Sequence, residues 1–330
     1  MYVGGVDFSG LSHYLQDAIL LLLAYHPTSI RVTIGDGFEI VSDAEIELTE
    51  TEDGFIPFEV MGFPGTSAFN KFIGSWRSPR NNSVLLTALS RELAVSIITA
   101  RQRKELHFAR GVRTLYRAVP VENETVGTTL RFQPESDVFT VTKIRPAIFL
   151  NYFRRLSYLY AGTRFSISAD GETQSFQADK GIEDLFAVLA SPHRLMHEPI
   201  SITGEAGDLK LQLVMGFHNG IGDHLCCFIN NDLAVEGGTH VQGLQKALKR
   251  LRKQWQLPNR MDQWGTVVVM SLNYPHLVWD SATRRRIINA DFKELVSRLV
   301  FEGTLTWLEQ HPDVAAQLIE LKTVYFSELW

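Results

Sequence analysis

Cys226 to Trp255 reads CCFINNDLAVEGGTHVQGLQKALKRLRKQW. Cys226 to Ile229 is an apolar run bounded by turn formers and too short for a helix, which predicts a buried strand. Asn230 to Gly238 breaks that pattern. The Gly237-Gly238 pair gives the backbone a freedom other residues lack, and Thr239 follows at the position of a helix N-cap. From there Val241, Leu244, Leu248, Leu251 and Trp255 recur at intervals of three and four, which lays one apolar stripe along a helix. Lys246, Lys249, Arg250, Arg252 and Lys253 fill its other faces with a single sign of charge. A solvated basic face is the plain reading, and a surface for polyphosphate the sharper one.

The strand end Phe228-Ile229-Asn230-Asn231, then Glu236-Gly237-Gly238-Thr239-His240, then Gly243 and Ala247-Leu248, resembles the transducer domain of the DNA gyrase B subunit and its topoisomerase IV relative. The resemblance implies an α+β chain: a two-layer α/β sandwich of the GHKL (Bergerat) ATPase type over 1–145, then a ribosomal-protein-S5-like transducer domain over 146–330. The metal-binding Toprim cleavage domain that follows in the family is expected to be absent. In the family an N-terminal arm wraps the partner subunit; with nothing before Met1, a homodimer here is expected to lack it.

Composition fits two ordinary globular domains in 330 residues, 45% hydrophobic and 21% charged. A net charge of -5 argues against a general nucleic-acid coat, so any DNA contact has to come from a local patch. The two cysteines are adjacent, which excludes a disulfide framework and the CxxC spacing of a zinc site, and no metal-ligand spacing appears elsewhere. The start MYVGGVDF is not a secretory signal, and the longest apolar run, Ala18 to Tyr25, is too short to span a bilayer. A cytoplasmic protein without membrane partners is the expectation.

The resemblance puts the family's chemistry on the helix at about Leu11 to Tyr25. A carboxylate there must reach a water beside the terminal phosphate, and an amide oxygen four residues on must hold Mg²⁺, so that both face the pocket from one side. Counted from Gly10-Leu11 the two positions are Asp17 and Leu21; counted back from His26 they are His13 and Asp17. Neither register keeps both groups. As a base, Asp17 is one methylene short, and a displacement of roughly an ångström can cost ~10² in rate.

Other expected nucleotide contacts are equally altered. Ile30 to Ile34 and Phe38 to Val41 read as a hairpin around Gly35-Asp36-Gly37. The family's adenine-binding aspartate after the second strand corresponds to Ser42 or Asp43. The following Ala44-Glu45-Ile46-Glu47 has no glycine and reads as the start of an acidic surface loop, with a family-like Asp53-Gly54 displaced beyond it. Asn82 can cap a helix near Val84 and offer a weak anion site, but no Gly-x-Gly turn lies between Pro79 and Ala88. Thr128 matches the family's base-contacting threonine. The family's phosphate-reaching Gln-Thr-Lys appears as Ala282-Thr283-Arg284, and a guanidinium does not freely replace a compact ammonium.

These positions imply a gyrase-B-like pseudoenzyme with no ATP or Mg²⁺ requirement. It would act as a binding or regulatory module on DNA, through Lys246, Lys249, Arg250 and Lys253, or on a topoisomerase subunit. The alternatives are a divergent ATPase using Asp17 and Arg284 with ATP and Mg²⁺, and a purely structural interaction protein.

Overall fold

The computed structural model describes residues 8–51, 54–58, 83–218, 220, 222–234, 236–254, 265–280 and 286–318. The chain divides into two compact units, Met1–Ala178 and Asp179–Trp330.

In the first unit, α1 (Phe8–Leu23) leads into β1 (Ser29–Ile34) and β2 (Phe38–Ser42), with β3 (Thr49–Thr51) and β4 (Gly54–Ile56) forming a small separate hairpin. After α2 (Ser83–Ala88) come β5 (Ser90–Ile98), β6 (Gln102–Ala109), β7 (Val112–Pro120) and β8 (Gly127–Pro134). Then follow α3 (Pro146–Leu159), β9 (Arg164–Ala169) and β10 (Glu172–Phe176). The eight-stranded sheet runs β10-β9-β1-β2-β8-β5-β6-β7. Alternation puts Val32, Ile40, Leu130, Val95 and Leu106 on one face, where they share a core with Leu15, Ile19 and Leu22 of α1 and Phe149 and Phe153 of α3. Pro146 opens α3 at a position where its missing N–H has no helical partner to lose.

The expected start of the second domain at residue 146 falls inside this unit. β9 pairs in parallel with β1, Ile30 opposite Phe165 and Val32 opposite Ile167, so the β9–β10 hairpin extends the first sheet. Phe165 is fully buried there, its ring 5.7 Å from that of Phe153.

The second unit opens with α4 (Ile182–Ala190). It continues with β11 (Ile200–Ala206), β12 (Leu209–His218), β13 (His224–Ile229), β14 (Asp232–Leu233), α5 (Thr239–Gln254), β15 (Gly265–Asn273) and α6 (Phe292–Gln310), with helix again at 312–318. The sheet order is β11-β12-β15-β13-β14. β15 is central, antiparallel to β12 and parallel to β13, and buried on both faces, as its continuous GTVVVMSL run demands. Cys227 is buried and Cys226 half-buried; burial pushes their thiols up to about 12 and about 11, so neither is a thiolate at neutral pH.

The predicted stripe of α5 is largely inward: Leu244, Leu248 and Leu251 are buried and Val241 is partly so, while Trp255 lies outside the described residues. Its start differs by one residue. The Gly238 carbonyl accepts the first helical bond, from the Gln242 amide at 3.1 Å, so Gly238 occupies the cap position and Thr239 is already helical, its buried hydroxyl without a partner. The reason is contact: Gly238 has φ +139 and bridges to Ile287, whose carbonyl oxygen would lie 2.4 Å from an added Cβ. No described helix is long and apolar enough to cross a membrane.

Candidate nucleotide pocket and basic helix

Sequence pattern brings Asp17, Leu21, Ser42, Asp43 and Thr128 into the first unit as expected, but each is occupied. Leu21 is fully buried in the core of α1 against the sheet. In the register counted from Gly10-Leu11, a side chain with no lone pair thus stands where the magnesium amide is expected; in the register counted back from His26 that position is Asp17. Asp17, one turn earlier, is half-buried and already has a partner; His13, a turn before that, is exposed. Further along the same helix face, Tyr14 packs edge-on to Phe132 and its hydroxyl bonds the Ser90 hydroxyl. Burial pushes its ionisation well above the ordinary phenol range.

Asp43 follows β2 directly, as the hairpin predicts, but its carboxylate closes the turn between α1 and β1. It accepts from the Thr28 amide at 2.9 Å and the Ser29 amide at 3.0 Å, and from the Thr28 hydroxyl. Ser42, the other candidate, is buried and accepts from the Ala44 amide at 3.1 Å.

Thr128 lies opposite Ser42 on the helix-covered face of the sheet. Its hydroxyl donates to the Ala44 carbonyl at 2.7 Å and accepts from the Ile46 amide at 3.2 Å, with the residue only 1% exposed. Both hydrogen-bonding roles of the group expected to meet a nucleotide base are thus filled by backbone. Gly127, at φ +155, permits this closeness: an added Cβ would lie 2.4 Å from the Ser42 carbonyl oxygen.

The acidic loop is correspondingly different from its expected form. Glu45 and Glu47 are exposed, but Ala44 and Ile46 between them are buried, Ile46 in the same core as Leu21. Alternation alone explains the split: the segment continues the β2 strand pattern past Ser42. Among the described residues around α1, β2 and β8, the side chains of Ser42, Asp43 and Thr128 are thus engaged by groups of the protein itself. Asn82, Arg284 and Asp53, which sequence reasoning also nominated, lie outside the described residues. A cavity of about 600 Å³ opens on the opposite sheet face beside Thr33, Glu39, His107, Arg131 and Gln133, and involves none of the residues named above as nucleotide contacts.

On α5 the basic residues divide. Lys246 forms an ion pair with Glu294 of α6 at 2.6 Å, and this lysine holds the Glu294 carboxyl below its ordinary range. The Arg250 guanidinium sits 3.8 Å over the Phe301 ring. Arg252 is nearly buried, bonded to the Thr266 hydroxyl at 3.0 Å and the Asp223 carboxylate at 3.4 Å. Lys249 and Lys253 are exposed, with no ion-pair partner among the described residues. The face is a fringe of three outward cations, not a continuous basic surface.

The sheet-and-helix arrangement of the two units defines the class: a GHKL-type ATPase fold followed by an S5-like transducer fold. In sequence and in fold the chain is similar to the amino-terminal region of DNA gyrase and topoisomerase B subunits. Residues 181–324 match the family model for DNA gyrase B. The DNA gyrase B subunit of Archaeoglobus fulgidus is 26% identical over 345 residues, covering 97% of this chain and 55% of that protein. The type 2 topoisomerase B subunit of Aquifex aeolicus is 24% identical over 97% of this chain and 44% of its own length. The chain thus spans about half the length of these curated relatives. Among solved structures, the 43K ATPase domain of Thermus thermophilus gyrase B in complex with an aminocoumarin superposes with a TM-score of 0.75 at 21% identity. The match covers 97% of this chain and 90% of that one. The gyrase B-subunit of Myxococcus xanthus gives 0.72 at 20% identity, with 96% of each chain covered.

Proposed function

We propose that this chain is a non-hydrolysing relative of gyrase B, which keeps the scaffold and works as a binding or regulatory module. The observation that carries the reading is Thr128: its hydroxyl is clamped between the backbones of Ala44 and Ile46, and the Ile46 side chain enters the same core as Leu21. Removing a nucleotide from such a place leaves no unsatisfied group behind, so the fold is complete without one. Asp43 supports it further, since its carboxylate holds the α1–β1 turn.

The partner we infer is a protein rather than duplex DNA, and the relatives suggest a topoisomerase subunit. Net charge is -5 and Lys246 is neutralised by Glu294, which leaves Lys249, Arg250 and Lys253. Three phosphate contacts would give a salt slope of only about -2.7 on duplex DNA. The nucleotide half of the proposal is tested by calorimetric titration of the chain with a non-hydrolysable ATP analogue and Mg²⁺. No heat above dilution is expected, and binding in the micromolar range overturns it. The partner half is tested by duplex anisotropy at physiological salt. No saturable binding is expected; binding abolished by Lys249→Glu with Arg250→Glu transfers the role to DNA.

A further inference from the structure

The second unit carries a feature that the nucleotide pocket and the basic helix leave unused. His193 follows the end of α4, where its amide donates to the Ala190 carbonyl at 2.8 Å; His218 is the last residue of β12 and His224 the first of β13. Three separate elements bring these rings together. The His193 ring lies 4.3 Å from that of His218 and 4.4 Å from that of His224, centroid to centroid. Each offers one nitrogen, and the three nitrogens all lie within 4.8 Å of one another.

We propose that His193, His218 and His224 form a binding site for a borderline divalent transition metal of the Zn²⁺ kind, with three protein ligands and an open position toward solvent. Imidazole nitrogen is the ligand such ions prefer when thiolate is lacking, and three protein ligands plus an open site is a stable zinc arrangement. In tetrahedral coordination with metal–nitrogen bonds of about 2.0–2.1 Å, ligand nitrogens stand about 3.4 Å apart. The rings therefore have to close by at most about 1.4 Å from their mutual limit. Two of them have the room to do so, because His193 is half-buried and His224 exposed.

His218 is the fixed member. It is 1% exposed, and its Nε2 makes no hydrogen bond of ordinary geometry, which is an unusual state for a buried polar atom. The residue opposite it in β15 is Gly265; an added Cβ there would lie 2.2 Å from that Nε2, so the missing side chain is what gives the ring its place.

Its Nδ1 accepts from the Gly220 amide at 3.0 Å. Coordination through Nδ1 displaces that amide, and coordination through Nε2 requires the ring proton to move to Nδ1, which costs the same bond. Either way one neutral hydrogen bond is exchanged for a metal–nitrogen bond. Asp223 is not a fourth ligand in this arrangement, since Arg252 holds it. Among the described residues this is the one cluster of its kind.

The test uses the full chain without a histidine tag, titrated with Zn²⁺ against a chromophoric chelator at pH 7.5. One equivalent is expected to bind. His193→Gln with His224→Gln, both at accessible positions and checked for retained fold by circular dichroism, is expected to raise the dissociation constant at least about a hundredfold, the upper end of what losing even an outer-shell partner costs. Co²⁺ in place of Zn²⁺ is expected to show the strong visible absorption of a four-coordinate ion, lost in the same variant. Failure of the chain to compete with the chelator, or equal binding by the double variant, overturns the assignment.

Discussion

Replacing Thr128 by valine separates the two uses of that hydroxyl. Valine has nearly the same shape, so packing against β2 and β5 is preserved while the donor to the Ala44 carbonyl and the acceptor for the Ile46 amide are both removed. The residue is 1% exposed, so water cannot replace them. Leaving a buried backbone group unpaired costs about 1–3 kcal/mol, and a carbonyl tolerates it better than an N–H. The sum expected for Thr128→Val is about 2 kcal/mol. For a cooperative unit of 150–250 residues that corresponds to a fall in Tm of roughly 4–8 °C. Urea unfolding followed by far-ultraviolet circular dichroism reads it as a lower midpoint at unchanged slope. A change below about 0.5 kcal/mol refutes the reasoning, because the size of an ordinary surface effect would mean that the hydroxyl is not structurally committed.

Further expectations follow from the same contacts. His240 is fully buried with neither ring nitrogen bonded, and burial lowers it to about 4. The folded state thus binds fewer protons than the unfolded between its ordinary 6.5 and 4. Its contribution is present above pH 6.5 and lost as pH falls through 4, about 3 kcal/mol in all; a pH series of urea midpoints should show the slope, and His240→Leu should flatten it. Gly238→Ala forces a Cβ to within 2.4 Å of the Ile287 carbonyl at a φ of +139, and should cost about 3 kcal/mol by thermal melting, more than any relaxation of side chains can recover. Gly243→Ala meets the Lys293 carbonyl oxygen at 2.8 Å and Val296 at 2.9 Å, and should cost about 1–3 kcal/mol by separating α5 from α6.

The parts of this fold that could be read from sequence are those in which chemistry repeats along the chain. Leu244, Leu248 and Leu251 announce their helix because intervals of three and four have one geometric meaning, and β15 announces its two-sided burial by an unbroken run of branched residues. Gly237-Gly238 marked the break before α5 but not its cap, since the close approach of Ile287 comes from 49 residues further on. The pocket is harder for the same reason. That Ile46 turns inward within an acidic run, and that its amide meets Thr128 from 82 residues away, is decided by strand pairing and has no local signature. Lys246 and Glu294, 48 residues apart, look like separate surface charges until α5 and α6 pack. His193, His218 and His224 likewise share no spacing that a linear motif would detect.

The most direct measurement is a crystal of the chain soaked with a non-hydrolysable ATP analogue and magnesium. The expected result is Thr128 still bonded to Ala44 and Ile46, Ile46 in the core beside Leu21, and no nucleotide against α1. A base seated on Thr128, with Ala44 and Ile46 displaced and a magnesium ion near Asp17, would contradict it.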